Sequence, residues 1–450
     1  MIRKKIERVI AGILVTSMCF GLNGTYSNAK DVTQKKNNKG IYKEYLVKSD
    51  TALNFKTLIK KYKNKVVINH KAKDEMYSQK ENVVTLKLSN EDAKELKDEK
   101  SYVVEENYEL HGLTEENNIP EVPISIEDFK NKTGEEYSDN PEEFVPCEAV
   151  TDENQNEVLP WNIECVAGNP KENEYTGKGV KVAVIDSGID VHNDLNTKEW
   201  VDFSDSVNGY KPIDSNGHGT EMAGVIAARD NGIGTIGIAP DAELYSVKVL
   251  DKDNKACVSS VVKAIEWCID NDIDVINMSF GLNQYSAILE ESIHKAYLND
   301  ITMVSAAGNK NSVEYPAKFD EVISVGGINK ELCISSYSPV GNGVDVYAPS
   351  EECQTTGFVG SYVKGNGTSI AAAHVTGVVA ALKSGSKNIT NSQMKTLIKN
   401  TTVDFRTDDG VKYGVINYNN AILEYYNNEY DLMDDYDKVN KDIRLYWTNT

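Results

Sequence analysis

Three side chains whose types suit nucleophilic catalysis lie in separate glycine-containing segments of this chain. Asp186 directly follows the apolar run 182–185, His218 stands between two glycines, and Ser369 follows a Gly-Thr pair. A serine hydroxyl becomes a nucleophile when an imidazole accepts its proton, and a carboxylate beside the imidazole fixes the ring and stabilises its protonated form. The three residue types therefore suit acyl transfer at a serine hydroxyl.

The elements predicted around these residues bring them to one edge of a sheet. Taken singly, each residue has an ordinary structural role, because Asp at a strand end, His at a helix start and Ser as a helix cap are all common. Short β-branched runs alternate with helical stretches, which predicts an α/β fold with a mostly parallel sheet covered on both faces. Sites in such sheets form at the carboxyl ends of the strands. We predict strands at 180–185, 243–249, 275–278 and 302–306, and helices at 220–228, 259–271, 286–298 and 374–382.

Five segments in a fixed order resemble the subtilisin-like serine proteases, the subtilase family. Besides the segments around Asp186, His218 and Ser369, they are the runs 277–281 and 306–309. The resemblance implies a three-layer α/β fold, the activity of a serine endopeptidase and a polypeptide substrate. It also implies that Ser369 is the nucleophile, His218 the general base and Asp186 the carboxylate that orients the imidazole. The Asn309 amide and the Ser369 backbone N–H stabilise the oxyanion by the same resemblance. By the same resemblance, Ser279 and Gly281 belong to the strand that pairs with the substrate.

The segment after Asn309 departs from the best-known family members. It is shorter, and Lys310 and Glu314 are predicted at the rim and the base of the pocket that receives the residue before the cleaved bond. A glutamate at the base attracts Arg or Lys, because a buried charge selects strongly for its opposite. Two alternatives stay open: Lys310 pairs with Glu314 in solvent without selective effect, or Lys310 itself receives an acidic residue. We expect a basic residue in this pocket.

A second departure lies on the predicted helix that follows His218. Glu221 stands where many relatives have a second histidine. This carboxylate either adjusts the preference for residues after the cleaved bond or faces solvent.

A candidate calcium site is similar to the high-affinity site of the family. Asp194 and the loop 229–235 align with it. Oxygen-only ligands are the set that calcium prefers, and the alternative is a turn closed by hydrogen bonds alone. The predicted ligands are the side chains of Glu157, Asp194 and Asn231 and the main-chain oxygens of Arg229, Ile233 and Thr235.

The first 29 residues have the composition of an export signal. Basic residues precede an almost continuous apolar run at 9–22, and small residues follow, with cleavage expected after Ala29. The run is shorter than the roughly 20 residues of a spanning helix. A formal net charge of −21 disfavours nucleic acid and anionic membranes as partners. We expect a secreted, extracellular monomer.

A small α+β domain is predicted at 41–113. Strands are expected at 45–47, 65–69, 82–88 and 102–105, and Ser89 with Asp92 forms the pattern of a capping box. Because subtilases often carry an inhibitory propeptide, the resemblance implies that role for this domain as an intramolecular inhibitor. An independent binding module is the alternative.

An acidic linker is predicted at 114–156. Residues 114–157 hold fourteen acidic and two basic side chains, so the segment repels itself and has little apolar surface to bury. We expect activation by self-cleavage there. The peptidase domain is expected at 157–426, and a tail at 427–450 follows it.

The biological role divides into three interpretations. We expect a self-processed zymogen that matures a leader peptide or precursor protein. The charged pocket suggests this role, as does the resemblance to bacterial leader-processing members of the family, including those that trim lanthipeptides. A broad extracellular degradative protease is the competitor. A pseudoprotease scaffold is the third interpretation, although all four catalytic positions carry the expected residue types.

Overall fold

The computed structural model describes residues 42–67, 81–113, 156–204, 213–385, 389–407 and 410–429. The predicted export signal, nearly all of the acidic linker and most of the tail lie outside these ranges.

The N-terminal α+β unit, defined here as residues 42–113, begins with an antiparallel sheet of strand order β2-β1-β3 against which two helices pack. The predicted capping box is present: Asp92 N donates to Ser89 Oγ over 3.1 Å, and Ser89 N donates to Asp92 Oδ2 over 3.3 Å. Its elements are β1 (Tyr42–Ser49), α1 (Ala52–Lys61), β2 (Val83–Ser89), α2 (Asn90–Asp98), β3 (Tyr102–Glu106) and β4 (Glu109–Gly112).

The strand predicted at 65–69 is wrong at Lys65, whereas Val66 and Val67 pair with β2. Lys65 N donates to Tyr62 O and closes a 3₁₀ turn over Lys63–Lys65, so the chain is still turning where a strand was expected. Val66 forms only an isolated bridge to Leu86, and residues 68–69 lie outside the described ranges.

The central sheet explains how distant segments meet. Within the described residues it has nine strands in the order β16-β17-β13-β12-β11-β9-β5-β7-β6, and all neighbours are parallel except β16 and β17. The strands that follow β4 are β5 (Lys181–Asp186), β6 (Thr197–Asp202), β7 (Glu243–Lys248), β8 (Lys255–Cys257), β9 (Val275–Met278), β10 (Phe280–Gly281), β11 (Thr302–Ala306), β12 (Val322–Ile328), β13 (Val346–Pro349), β14 (Cys353–Thr356), β15 (Tyr362–Gly365), β16 (Val403–Arg406) and β17 (Lys412–Val415).

Helices cover both faces of this sheet, as predicted. One helix begins earlier than expected: the predicted start at 374 is wrong, and the helix begins at Thr368, because Ile370 N already donates to Gly367 O and the buried small residues 371–373 extend the turn. No helix in the described ranges has the length and apolarity needed to cross a bilayer. The helices are α3 (Trp161–Ala167), α4 (His218–Ala227), α5 (Val258–Asp270), α6 (Ala287–Leu298), α7 (Thr368–Gly385), α8 (Asn391–Asn400) and α9 (Tyr418–Glu429).

Strand β5 divides the core into two layers, because successive side chains of a strand point to opposite faces. Val182 and Val184 join a cluster with α4 and α7. Ala183 and Ile185 join the cluster of α5 and α6, which also receives Leu46 and Leu110 from the N-terminal α+β unit. The carboxyl end of β5, where Asp186 lies, is therefore enclosed on both sides. This is the three-layer α/β fold that the sequence predicts.

Candidate active site

Asp186 and His218 form a buried pair at the carboxyl end of β5. Asp186 Oδ1 lies 2.7 Å from His218 Nδ1 and also accepts a hydrogen bond from Ser187 N over 2.6 Å. The carboxylate is wholly buried, and the imidazole is 4% exposed. Among the described residues, His218 Nε2 has no hydrogen-bond partner. The pair thus holds one ring nitrogen and leaves the other available to accept a proton.

The start of α4 fixes His218 in place. Gly217 precedes it with a φ of +96°, a left-handed conformation that favours glycine. Asp214 accepts a hydrogen bond from Thr220 N over 2.9 Å, which satisfies one of the unpaired amides of the first helical turn. The same carboxylate accepts from Ser187 Oγ over 2.7 Å and so ties the helix to the loop after Asp186. The sequence analysis missed Asp214, although it lies four residues before His218.

A buried lysine, Lys248, is a second positioning residue that the sequence analysis missed. It lies beside Asp186 in the register of β5 and β7. Its Nζ donates to Ser187 O, to Ser215 Oγ over 2.7 Å and to Leu250 O over 2.9 Å. Burial lowers the pKa of Lys248, and the surrounding carboxylates oppose that shift. Its sequence context is an ordinary apolar strand, which gives no signal of this role.

Burial and the Asp186 carboxylate shift the pKa of His218 in opposite directions. Burial alone lowers the pKa of His218, but the charge of Asp186 and its hydrogen bond raise it more, so the pKa lies above its usual value. Glu221 is also buried, on the same helix, so the alternative in which it faces solvent is wrong. Burial raises the pKa of Glu221 to about 8.

Ser369 and Asn309 converge on one main-chain oxygen. Ser369, in the first turn of α7, donates from Oγ to Leu113 O over 2.7 Å, and Asn309 Nδ2 donates to the same oxygen over 2.9 Å. Thr368 orients the asparagine, because its N and Oγ1 both donate to Asn309 Oδ1, over 3.0 and 2.8 Å. The residues predicted as nucleophile and oxyanion donor therefore face the same carbonyl group.

The carbonyl belongs to the N-terminal α+β unit. Strand β4 pairs antiparallel with β8 on one side and β10 on the other, with Gly112 opposite Phe280 and His111 opposite Gly281. Leu113 N donates to Ser279 O over 3.1 Å. A peptide that adds a strand to a sheet edge is a common mode of peptide recognition. Ser279 and Gly281 lie beside an extended chain, as the resemblance implies, and in this structure that chain is the protein's own.

Lys310 and Glu314 occupy different environments. Glu314 is wholly buried, and Lys310 is exposed. No described residue other than His111 brings a cationic nitrogen within 4 Å of the Glu314 carboxylate, and His111 Nε2 lies 3.5 Å from it. The alternative of a solvated ion pair between Lys310 and Glu314 is therefore wrong, because the glutamate has no access to solvent.

The predicted calcium ligands lie close together. Asp194 Oδ1 is buried without a hydrogen-bond partner among the described residues, and Glu157 Oε2 accepts from Asn231 N over 3.0 Å. The donor set is made of oxygens, which fits calcium, and the buried unpaired oxygen supports a cation there. Glu157 Oε1 pairs with Lys171 over 2.5 Å, so an ion would share that carboxylate with a lysine. The described residues contain no group of three or more His, Cys, Asp or Glu side chains placed to hold a metal.

The fold and the site define a class of protein: a serine hydrolase with an Asp-His pair, an oxyanion donor and a cleft for an extended polypeptide. Comparison with known proteins narrows the class. The family model described as the subtilase family matches residues 177–422. The chain therefore belongs to the subtilase family and is a serine endopeptidase.

Three similar proteins illustrate the relationship. Subtilisin BL of Lederbergia lenta is 37% identical over 262 residues, which cover 58% of this chain and 97% of that protein. The thermostable alkaline protease of Halalkalibacterium halodurans is 35% identical over 301 residues, 66% of this chain and 82% of that protein. The minor extracellular protease Epr of Bacillus subtilis is 35% identical over 311 residues, 67% of this chain and 45% of that protein.

Proposed function

We propose that this chain is the zymogen of a secreted subtilase that first cuts its own Leu113–Thr114 bond. In this proposal the N-terminal α+β unit is the inhibitory propeptide. The observation that carries it is the position of Leu113 O, which accepts hydrogen bonds from both Ser369 Oγ and Asn309 Nδ2. The proposed bond lies at the border of the predicted linker rather than inside it.

The proposed chemistry is acyl transfer by the three residues of the site. Ser369 Oγ attacks the Leu113 carbonyl carbon while His218 Nε2 accepts the hydroxyl proton. Asn309 Nδ2 donates to the oxygen as it becomes negative, and Asp186 stabilises the imidazolium. The C–N bond to Thr114 then breaks, and His218 gives its proton to the leaving amine. Water, activated by the same histidine, releases Leu113 from the serine ester.

The first step requires one local rearrangement. In the structure the Ser369 hydroxyl donates to the Leu113 oxygen, whereas attack requires that it donate to His218 Nε2. That nitrogen has no other partner among the described residues. The Ser369 side chain must therefore turn from Leu113 O toward this nitrogen before the attack.

Two acceptors of the N-terminal α+β unit support its role as an inhibitor. Glu105 Oε2 accepts from Ala287 N over 3.0 Å, and Glu105 Oε1 accepts from Ser286 Oγ, both at the start of α6. Asn107 Oδ1 accepts from Ser259 N over 3.1 Å at the start of α5. Helix starts favour carboxylates and side-chain oxygens, because their first amides lack partners. These contacts do not involve the cleaved bond, so they retain the propeptide after the cut.

Secretion, calcium and the biological role form the rest of the proposal. Secretion is supported by the basic and apolar start of the sequence and by the printed name of one relative, which is an extracellular protease. Calcium bound by Glu157, Asp194 and Asn231 would stabilise the fold rather than take part in hydrolysis. We assign the enzyme to precursor or leader-peptide maturation, because a charged pocket favours selective cleavage over broad degradation.

Cleavage of the secreted protein tests the proposal. Wild type and Ser369→Ala are compared by N-terminal sequencing and intact mass. We expect a wild-type fragment that begins at Thr114 and an uncut Ser369→Ala chain. Leu113→Asp should slow the cut, because its carboxylate would lie beside buried Glu314, whereas Leu53→Asp on the exposed side of α1 should not.

Other results would contradict it. Identical cuts in wild type and Ser369→Ala would mean that another protease processes the chain. An uncut wild-type chain would contradict self-processing altogether. A first cut inside 115–156 would contradict the assignment of Leu113.

A further inference from the structure

Glu314 is a buried carboxylate without a hydrogen bond. Its side chain has no solvent exposure, and neither Oε1 nor Oε2 has a hydrogen-bond partner among the described residues. An ionised carboxylate in this situation loses its hydration without compensation. Removal of a partner from a buried ion pair is strongly unfavourable for the same reason. The site is therefore incomplete in the presence of the propeptide.

The backbone fixes where this carboxylate lies. Glu314 N donates to Ala307 O over 2.8 Å, immediately after β11. The next residue, Tyr315, exchanges two hydrogen bonds with Leu282, immediately after β10. Glu314 is thus held between the two segments that carry the oxyanion donor and the substrate-pairing strand.

The carboxylate and the side chain of Leu113 share one pocket. A Cβ atom built on Gly281 would collide with Glu314 Oε2 and would lie 3.2 Å from Leu113 Cδ2. A Cβ atom built on Gly308 would lie 3.3 Å from Glu314 Cγ. Gly281 and Gly308 therefore line the pocket. Because they have no side chains, the space between them is open to the side chain that enters the pocket.

The basic side chains near this pocket leave the Glu314 carboxylate without a hydrogen bond. Lys310 is exposed and does not pair with Glu314 in the described structure. His111 lies two residues before Leu113 on β4, and its Nε2 stands 3.5 Å from Glu314 Oε2, beyond good hydrogen-bond distance. The residue in the pocket itself, Leu113, is apolar. The described residues supply no donor to Glu314, and a basic substrate side chain in the position of Leu113 would supply one.

We propose that Glu314 makes this endopeptidase prefer arginine or lysine immediately before the bond it cleaves in other proteins. The inference rests on the proposed function, because it takes Leu113 as the residue before the cleaved bond. An arginine or lysine in the position of Leu113 is long enough to reach past the two glycine walls and donate to the carboxylate. Such charge-assisted hydrogen bonds are stronger than neutral ones, and here they would satisfy a group that is otherwise unpaired.

The propeptide then differs from a preferred substrate at the residue in the Glu314 pocket, which is Leu113 in the propeptide and arginine or lysine in the substrate. Leu113 fills the pocket but does not donate a hydrogen bond to Glu314. The cleaved propeptide, which ends at Leu113, is therefore held by the pairing of β4 and by the contacts at the helix starts rather than by the pocket. A basic substrate side chain gains an interaction that the propeptide lacks. This difference favours replacement of the cleaved propeptide by a basic substrate.

Matched peptides test the inference. Four peptides that differ only in the residue before the cleaved bond, Arg, Lys, Leu or Glu, are assayed for kcat/KM with self-processed wild type, Glu314→Gln and Glu331→Gln. Glu331 is an exposed glutamate and serves as the control for the same chemical change. We expect wild type to prefer Arg and Lys over Leu by about 10-fold or more. Glu314→Gln should reduce the Arg-to-Leu ratio by about 10-fold while Leu turnover persists, and Glu331→Gln should leave it unchanged.

The inference would be overturned if wild type prefers Leu over Arg. It would also be overturned if Glu314→Gln does not change the Arg-to-Leu ratio of kcat/KM. A protein that cleaves none of the peptides and takes up no fluorophosphonate at Ser369 would overturn the proposed function and this inference together. Fluorophosphonate labelling with a preference for Leu would overturn the inference alone. If Glu314→Gln does not accumulate as folded protein, the rate of self-cleavage of the full-length chain is measured instead. Leu113→Arg should cut itself faster than wild type, and an equal or slower rate would overturn the inference.

Discussion

The side-chain hydroxyl of Ser369 lies 2.7 Å from the main-chain oxygen of Leu113, a residue 256 positions earlier in the chain. The proposed nucleophile of this subtilase is thus in contact with a peptide carbonyl of its own chain. Strand β4 holds that carbonyl in place, because it is paired on both edges. The same contact supports both the assignment of the cleaved bond and the role of the N-terminal α+β unit.

The oxyanion donor gives the first prediction. Asn309→Ala removes the amide that reaches Leu113 O, so we expect kcat to fall by about 10²–10³-fold with little change in KM. Thr368→Val removes one of the two donors that orient Asn309 and keeps the shape of the side chain, so we expect a loss of about 10-fold or less. Steady-state kinetics on one peptide substrate measures both. Equal losses in the two variants would contradict the view that Thr368 only positions the asparagine.

Buried Glu221 gives a prediction about pH and stability. Its pKa is raised from an ordinary value of 4.5 to about 8 in the folded protein by burial. The folded state therefore binds more protons than the unfolded state between these pH values, and the free energy of unfolding falls as pH rises from about 4.5 to 8. Glutamine cannot ionise, so Glu221→Gln avoids this loss.

Thermal unfolding in the uncleavable Ser369→Ala background measures the effect of Glu221. We expect Glu221→Gln to have nearly the same Tm as its parent at pH 5 and a Tm higher by at least about 3 °C at pH 9. Glu331→Gln, at an exposed position, should show no such trend. A difference in Tm that does not vary with pH would mean that Glu221 is already ionised in the folded protein.

Adjacent glutamates on β3 give a prediction about inhibition. Glu105 contacts the start of α6, whereas Glu106 pairs with Lys43 at the exposed surface of its own unit. Glu105→Ala should therefore weaken retention of the cleaved propeptide by about 5–30-fold, the effect of losing a helix-capping carboxylate worth roughly 1–2 kcal/mol. Glu106→Ala should have no effect on retention.

The lag before peptide hydrolysis, after self-cleavage of the full chain, measures this retention. A shorter lag is expected for Glu105→Ala only. Equal lags for the two variants would argue that the capping contact does not hold the propeptide.

Calcium gives the last prediction, again in the Ser369→Ala background. Excess calcium should raise Tm and a chelator should lower it, because a ligand that binds only the folded state stabilises it. Asp194→Asn should abolish the response, since it removes the charge of the buried carboxylate. Asp230→Asn changes an exposed residue of the same loop and should retain the response. A calcium response that survives Asp194→Asn would place the ion elsewhere.

Local patterns in the sequence were sufficient to predict the elements that carry the site. The apolar run before Asp186 and the glycines around His218 are short-range signals for a strand end and a helix start. The small residues after Ser369 were not recognised as the first turn of α7, which begins at Thr368. These signals depend on backbone preferences and periodicity within a few residues. The alternation of strands and helices likewise predicted a parallel sheet whose carboxyl edge gathers the three residues.

The tertiary structure alone decided which residues from distant segments meet there. Asp214 and Lys248 carry no local signal of their roles, because each acts through contacts that form only when β5, β7 and α4 pack together. Glu314 is buried beside the hydrogen bonds that Tyr315 and Leu282 exchange between distant segments. The approach of Leu113 to Ser369 depends on β4 entering between β8 and β10. A sequence pattern records the conformation of neighbours along the chain, whereas desolvation and pairing across a cleft are set by the packing of the whole fold.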